Sequence, residues 1–132
     1  MTATGDVAGE VADLAALAQG GGAPGVLWAH AGADLNANLV LLTSGGTAPG
    51  VPAHVNDEVD VLLVGIAGTG TIEIDGRPHV LGAGQALVIP RGTRRAIGAT
   101  TERFAYLTCH RRRAGLWPGG PRRAAGEPGP GW

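Results

Sequence analysis

His54 and Asn56 stand two residues apart in the run Val51-Pro52-Ala53-His54-Val55-Asn56. Side chains alternate along a β-strand, so an imidazole and an amide at that spacing share one face. Three carboxylates, Asp57, Glu58 and Asp60, follow at once, and Arg91, Arg94 and Arg95 cluster further along. Imidazole, amide and carboxylate are the N and O donors that a divalent metal gathers, three or four to a centre with one position left open. The acids and arginines can equally pair with one another in an ion network of purely structural use.

Asn36 and Asn38 form a second same-face pair on an otherwise apolar run. Buried amides need partners, so this pair either lines a cavity beside His54 or faces solvent. His30 and His79 fall on outer or edge strands and read as surface residues. His110, beside Arg111-Arg112-Arg113, is weighed as a fourth polar cavity residue and set aside. Cys109 lies in an apolar strand with no activating partner and reads as a buried, inert thiol. The sequence carries no Ser-His-Asp set, phosphate loop or cysteine metal pair.

These residues need elements to position them. From Val26 to His110 the chain reads as short strands divided by turns: Val26–His30, Asn36–Thr43, Val51–Val55, Asp60–Ala67, Thr69–Ile74, Arg77–Leu81, Ala86–Ile89, Arg94–Ile97 and Phe104–His110. The run over Asp60–Ala67 is nearly continuous in Val and Leu, which predicts burial on both faces or close to it. Asp75-Gly76 is the preferred dipeptide of a type I′ hairpin. Ser44 to Gly50 is a loop. Upstream, Asp6 to Gln19 has apolar residues at helical spacing with Asp6 as an N-cap, although Val11–Leu14 also suits an edge strand. Gly20 to Gly25 breaks regular structure. The expectation is an all-β sandwich or barrel over 26–110, an N-terminal segment over 1–25 and a flexible Arg/Gly/Pro-rich tail over 111–132.

Composition narrows the function classes. The 132 residues suit one domain, 44% hydrophobic but with only five aromatics, so aliphatic side chains must fill the core. No apolar run approaches the roughly 20 residues of a membrane span, and residues 1–10 lack a signal peptide's basic start and apolar centre. The single cysteine excludes an internal disulfide and points to a reducing, cytoplasmic setting. Net charge is −1, but residues 1–89 hold nine acids and one base while residues 90–132 hold nine bases and two acids. All ten bases are arginine. Without lysines and interleaved aromatics, folding the two halves against each other accounts for this better than a nucleic-acid surface does.

The frame Gly84-Gln85-Ala86-Leu87-Val88-Ile89-Pro90-Arg91-Gly92-Thr93-Arg94-Arg95, with Gly68-Thr69-Gly70 and Asp75-Gly76, resembles the cupin family of small β-barrels. The resemblance runs from about Asn36 to His110. Fifteen residues separate Gly68 from Gly84, the short spacing of compact bacterial members. It implies a jelly-roll barrel, the double-stranded β-helix, and a metal held by two His and a Glu of a first motif and one His of a second. That last position is Arg95 here. Anchoring the first motif at Gly68 puts His54 and Asn56 on the two histidines and Val61 on the acid. A rival register, from Gly46 to Gly65, places Pro52 and His54 on the histidines and Glu58 on the acid; Gly68 fits the Gly-x-Gly hairpin and the spacing to Gly84 better.

Arginine stays protonated and has no lone pair to offer a metal. With Arg95 turned inward, the barrel would hold an imidazole, an amide and a guanidinium, a set suited to a small anionic metabolite through His54, Asn56, Arg95 and Asn38. No cofactor is favoured. Were a divalent metal bound, His54, Asn56, Glu58 and Asp60 would hold it, as in an oxygenase or isomerase. A third reading is metal-free acid–base catalysis by His54 and Arg95. The expected partners are a small-molecule ligand and a second copy in a homodimer, with no nucleic acid and no membrane.

Overall fold

The computed structural model describes residues 11–44, 50–56 and 58–112, with residues 50–54 described by their backbone alone. The 113–132 part of the expected tail, with Trp117 and Trp132, lies outside these residues, as do Asp6, Asp57 and most of the loop before Gly50.

The N-terminal element is a helix, but a short one. Helix α1 spans Leu14–Gln19, and its cap is Asp13 rather than Asp6: Asp13 accepts a hydrogen bond from the Ala16 amide at 3.1 Å. Capping at the third amide is the usual service of an Asp side chain at a helix start. The edge strand at Val11–Leu14 does not form. At the other end Arg103 donates to the carbonyls of Ala18 and Gly22, tying the helix exit to the barrel.

Nine strands follow: β1 (Gly25–Ala31), β2 (Leu35–Thr43), β3 (Gly50–Val55), β4 (Val61–Ala67), β5 (Thr69–Ile74), β6 (Arg77–Gly82), β7 (Ala86–Ile89), β8 (Arg94–Ala99) and β9 (Arg103–Arg111). They form two antiparallel sheets, ordered β1-β2-β9-β4-β7 and β3-β8-β5-β6. This is the all-β jelly roll expected from the short strands and Gly/Pro turns. Among the described residues no helix is long and apolar enough to cross a membrane.

Period-two alternation decides what each strand buries. Between the sheets lie Val40, Leu42, Val61, Leu63, Ile72, Ile89, Ile97, Phe104 and Tyr106. The opposite parity of β2, Leu39 and Leu41, packs with Ala18 and Ala105 beneath α1. β2 is therefore buried on both faces. β4 was the strand expected to be so, and it is not: Val61 and Leu63 are buried while Leu62 is 38% exposed. The helix layer covers only the Ile66–Ala67 end of β4, which leaves Leu62 and its cross-strand partner Val88 open.

Two turns hold this register. Asp75 and Gly76 both take positive φ, 50° and 82°, the type I′ geometry whose twist matches a hairpin. Gly68 has φ 72° at the β4–β5 turn, where a β-carbon would overlap the carbonyl oxygen of Arg103. Gly65 lies inside β4. The turn glycine is thus Gly68, as the preferred register of the first motif requires.

Candidate functional site

One end of the barrel is polar inside. The start of β2, the end of β3, the start of β4, the start of β8 and the end of β9 converge there. Pairing places Asn36 opposite His110 and Asn38 opposite Thr108 between β2 and β9. Arg95 faces position 54 on β3 and Ile74 on β5. Asn36, Asn38, Asn56, Arg95, Thr108 and His110 are all buried, Arg95 at 1% and Thr108 at 0% exposure. Their parity explains the direction. Asn36 and Asn38 continue the face of Val40 and Leu42; Arg95 continues that of Ile97; Thr108 and His110 continue that of Phe104 and Tyr106.

Backbone bonds sew the chain together around this end. The Gly92 amide donates to the Asn56 carbonyl at 2.7 Å, which docks the Pro90–Gly92 turn against the segment after β3. Arg111 donates to the Glu58 carbonyl at 2.8 Å, tying the end of β9 to the same segment. Asn56 Oδ1 accepts the amides of Glu58 and Val59 at 3.0 and 3.4 Å, a side-chain turn that leads the chain into β4. Its Nδ2 is buried and finds no partner among the described residues.

The acids behave differently from the inward set. Glu58 and Asp60 are exposed, and Asp60 accepts the Arg91 amide at 2.8 Å. Asp75 likewise accepts the Arg94 amide at 2.9 Å. These carboxylates steady the backbone at the two ends of the Pro90–Gly92 turn and of the β5–β6 hairpin. His79 is exposed, and His30 and Cys109 are half-buried.

His110 Nδ1 lies 2.7 Å from the Arg111 carbonyl oxygen. A carbonyl only accepts, so Nδ1 carries the proton of that bond and Nε2 holds the ring's lone pair when the imidazole is neutral. Tyr106, stacked on Phe104 with ring centroids 5.2 Å apart, is fully buried beside this set. Burial holds its phenol well above the usual value near 10, and the positive charge of Arg95 pulls weakly the other way. Because the unfolded phenol ionises at lower pH than the folded one, Tyr106 contributes stability that is complete below pH about 10 and is lost as pH rises above it. Tyr106 is the only tyrosine, so the check is direct. Ultraviolet titration of the folded chain should show no tyrosinate step near pH 10; such a step would contradict the burial.

Sequence reasoning named His54, Asn56, Arg95 and Asn38; the last three are buried at this end, and position 54 pairs with Arg95 between β3 and β8. It set His110 aside and passed over Tyr106 and Thr108. The available signal was parity: 104, 106, 108 and 110 share one face of β9.

A two-sheet antiparallel barrel with glycine turns at 68 and 84 and polar groups gathered at one end defines a small double-stranded β-helix. The sequence profile of the cupin domain matches residues 38–110, and the chain belongs to that family. A cupin protein from Bacteroides fragilis is 28% identical over 65% of this chain and 71% of its own, with TM-score 0.53. A conserved protein of unknown function from Streptococcus pyogenes covers 85% of this chain and 96% of its own at 22% identity, with TM-score 0.62. A cupin-2 domain protein from Shewanella frigidimarina, 22% identical, covers 68% and 80% with TM-score 0.55. The last two likenesses concern the fold alone. No curated protein matches the sequence.

The family implies a metal, and the donor set here does not fit one. In the register anchored at Gly68 the acid position is Val61, buried and apolar. The second-motif histidine is Arg95, a fixed cation that repels another. Asn56 has already committed its one ligating oxygen to two backbone amides. Of the four positions only 54 carries a histidine.

Proposed function

We propose that this cupin binds a small anionic metabolite inside its barrel, with Arg95 as the principal contact and His54, Asn38 and Asn56 as polar neighbours. The observation that carries this reading is a guanidinium at 1% exposure, on the inward face and in the position where the family keeps a metal ligand. A permanent positive charge in a low-dielectric interior opposes a divalent cation and favours a carboxylate or phosphate. A guanidinium also reads such a group through two parallel hydrogen bonds, which gives orientation as well as attraction. Asn56 Nδ2 adds a buried donor that has no acceptor among the described residues.

Titration calorimetry of the full chain with succinate, malate and inorganic phosphate tests the reading. Saturable binding of at least one anion, lost when Arg95 is replaced, supports it. Binding that survives the replacement, or none with any of the three, sinks it.

A further inference from the structure

Tyr106 and Thr108 carry hydroxyls that the barrel leaves unused. Both residues are at 0% exposure, and neither Tyr106 Oη nor Thr108 Oγ1 has a hydrogen-bond partner among the described residues. They stand two apart on β9, on the inward face, with Cα atoms about 7 Å apart by the strand repeat. Across from them are Val40 and Asn38 on β2, and Gly65 and Leu63 on β4. A buried hydroxyl without a partner is costly, and a matched pair on one face is a rare coincidence of two such costs. Nothing in the core chemistry calls for them, since Phe and Val fill the same volumes without a polar atom.

We propose that the ligand is a hydroxycarboxylate, its carboxylate held by Arg95 and its hydroxyl held between Tyr106 and Thr108. This rests on the anion reading above and deepens it by naming the second half of the ligand. A hydroxyl both donates and accepts, so one ligand O–H satisfies two protein hydroxyls at once: it accepts from one and donates to the other. The Phe104 ring behind Tyr106 keeps the phenol in place. Arg95 is buried on the facing sheet, on the same face of β8 as Ile97, which shares the core cluster of Tyr106, so the two ends of a compact ligand are served together. A bare carboxylic acid of the same shape would leave both hydroxyls unmet, and a site built to bond a hydroxyl discriminates against that analogue.

The test compares isosteric pairs on the full chain by titration calorimetry: lactate with propionate, and malate with succinate. The hydroxylated member of at least one pair should bind about tenfold or more tightly, the worth of a hydrogen bond or two in a dry site. Thr108→Val and Tyr106→Phe, both close in volume, should each reduce that preference to about threefold or less. Equal affinity within both pairs in the wild type, with Arg95-dependent binding intact, overturns this inference and leaves the anion reading standing. A preference that both variants retain overturns it too. Absence of Arg95-dependent binding across all four acids overturns this inference, and it removes the anion reading as well when inorganic phosphate also fails to bind.

Discussion

Arg95→Met is expected to weaken carboxylate binding by about 100-fold or more, because it removes two charge-assisted hydrogen bonds in a site closed to water. Arg95→Lys should retain part of the affinity, about tenfold weaker than wild type, since the charge stays while the two-pronged geometry goes. The order wild type, Lys, Met is the diagnostic. A side chain that merely neutralised nearby acids would show no graded loss of ligand affinity, because Glu58 and Asp60 sit outside on backbone amides and solvent. Calorimetry on the three proteins with malate reads the order directly. Equal affinities for wild type and Met would remove Arg95 from the site.

Gly68→Ala should be the most damaging small substitution in the barrel. Its φ of 72° lies in the left-handed region, and an added methyl would overlap the Arg103 carbonyl oxygen and crowd Thr101 Oγ1. The backbone of β9 cannot retreat easily, since Thr101 Oγ1 accepts the Thr69 amide and the Glu102 carbonyl accepts that of Ser44. Strain and displacement together should cost about 3 kcal/mol or more, a drop of roughly 10–20 °C in Tm for a domain of this size. Gly84→Ala is the control. Gly84 has φ 81° but nothing within 4 Å of an added β-carbon, so only the conformational term of about 1 kcal/mol applies. Thermal melts of the two variants should differ severalfold in their loss. Equal losses would mean that crowding at Gly68 contributes nothing.

The contrast between those two glycines also marks how far the sequence could be read. The strands were legible because alternation and turn dipeptides are local: all nine appear where the apolar runs and the Asp75-Gly76 signal put them. Local signals failed where two choices looked alike. The helical spacing pointed to a cap at Asp6, outside the described residues, whereas α1 starts at Leu14 behind Asp13, with Leu14 and Leu17 packed onto the sheet. The exposure of Leu62 reflects where α1 ends, a fact of tertiary placement that the composition of β4 does not carry.

The site divides in the same way. Arg95 was found through a fixed frame of Gly and Pro that sets its direction, and Asn38 and Asn56 through same-face spacing. β9 escaped because Ala105, Leu107 and Cys109 make its other face apolar as well. Which face turns inward follows from pairing with β2 and β4, and that pairing is long-range. The polar face of β9 thereby turns inward, so that Tyr106, Thr108 and His110 are buried at the end of the barrel where Arg95 is buried too.

A cupin whose metal-ligand positions read His54, Asn56, Val61 and Arg95 is, on this account, a barrel turned from a cation to an anion. The measurement that tests this most directly is calorimetric titration of the full chain with malate in excess EDTA. The account predicts saturable binding of about one malate per barrel, unchanged by the chelator. Binding that appears only when a divalent metal is restored would contradict it.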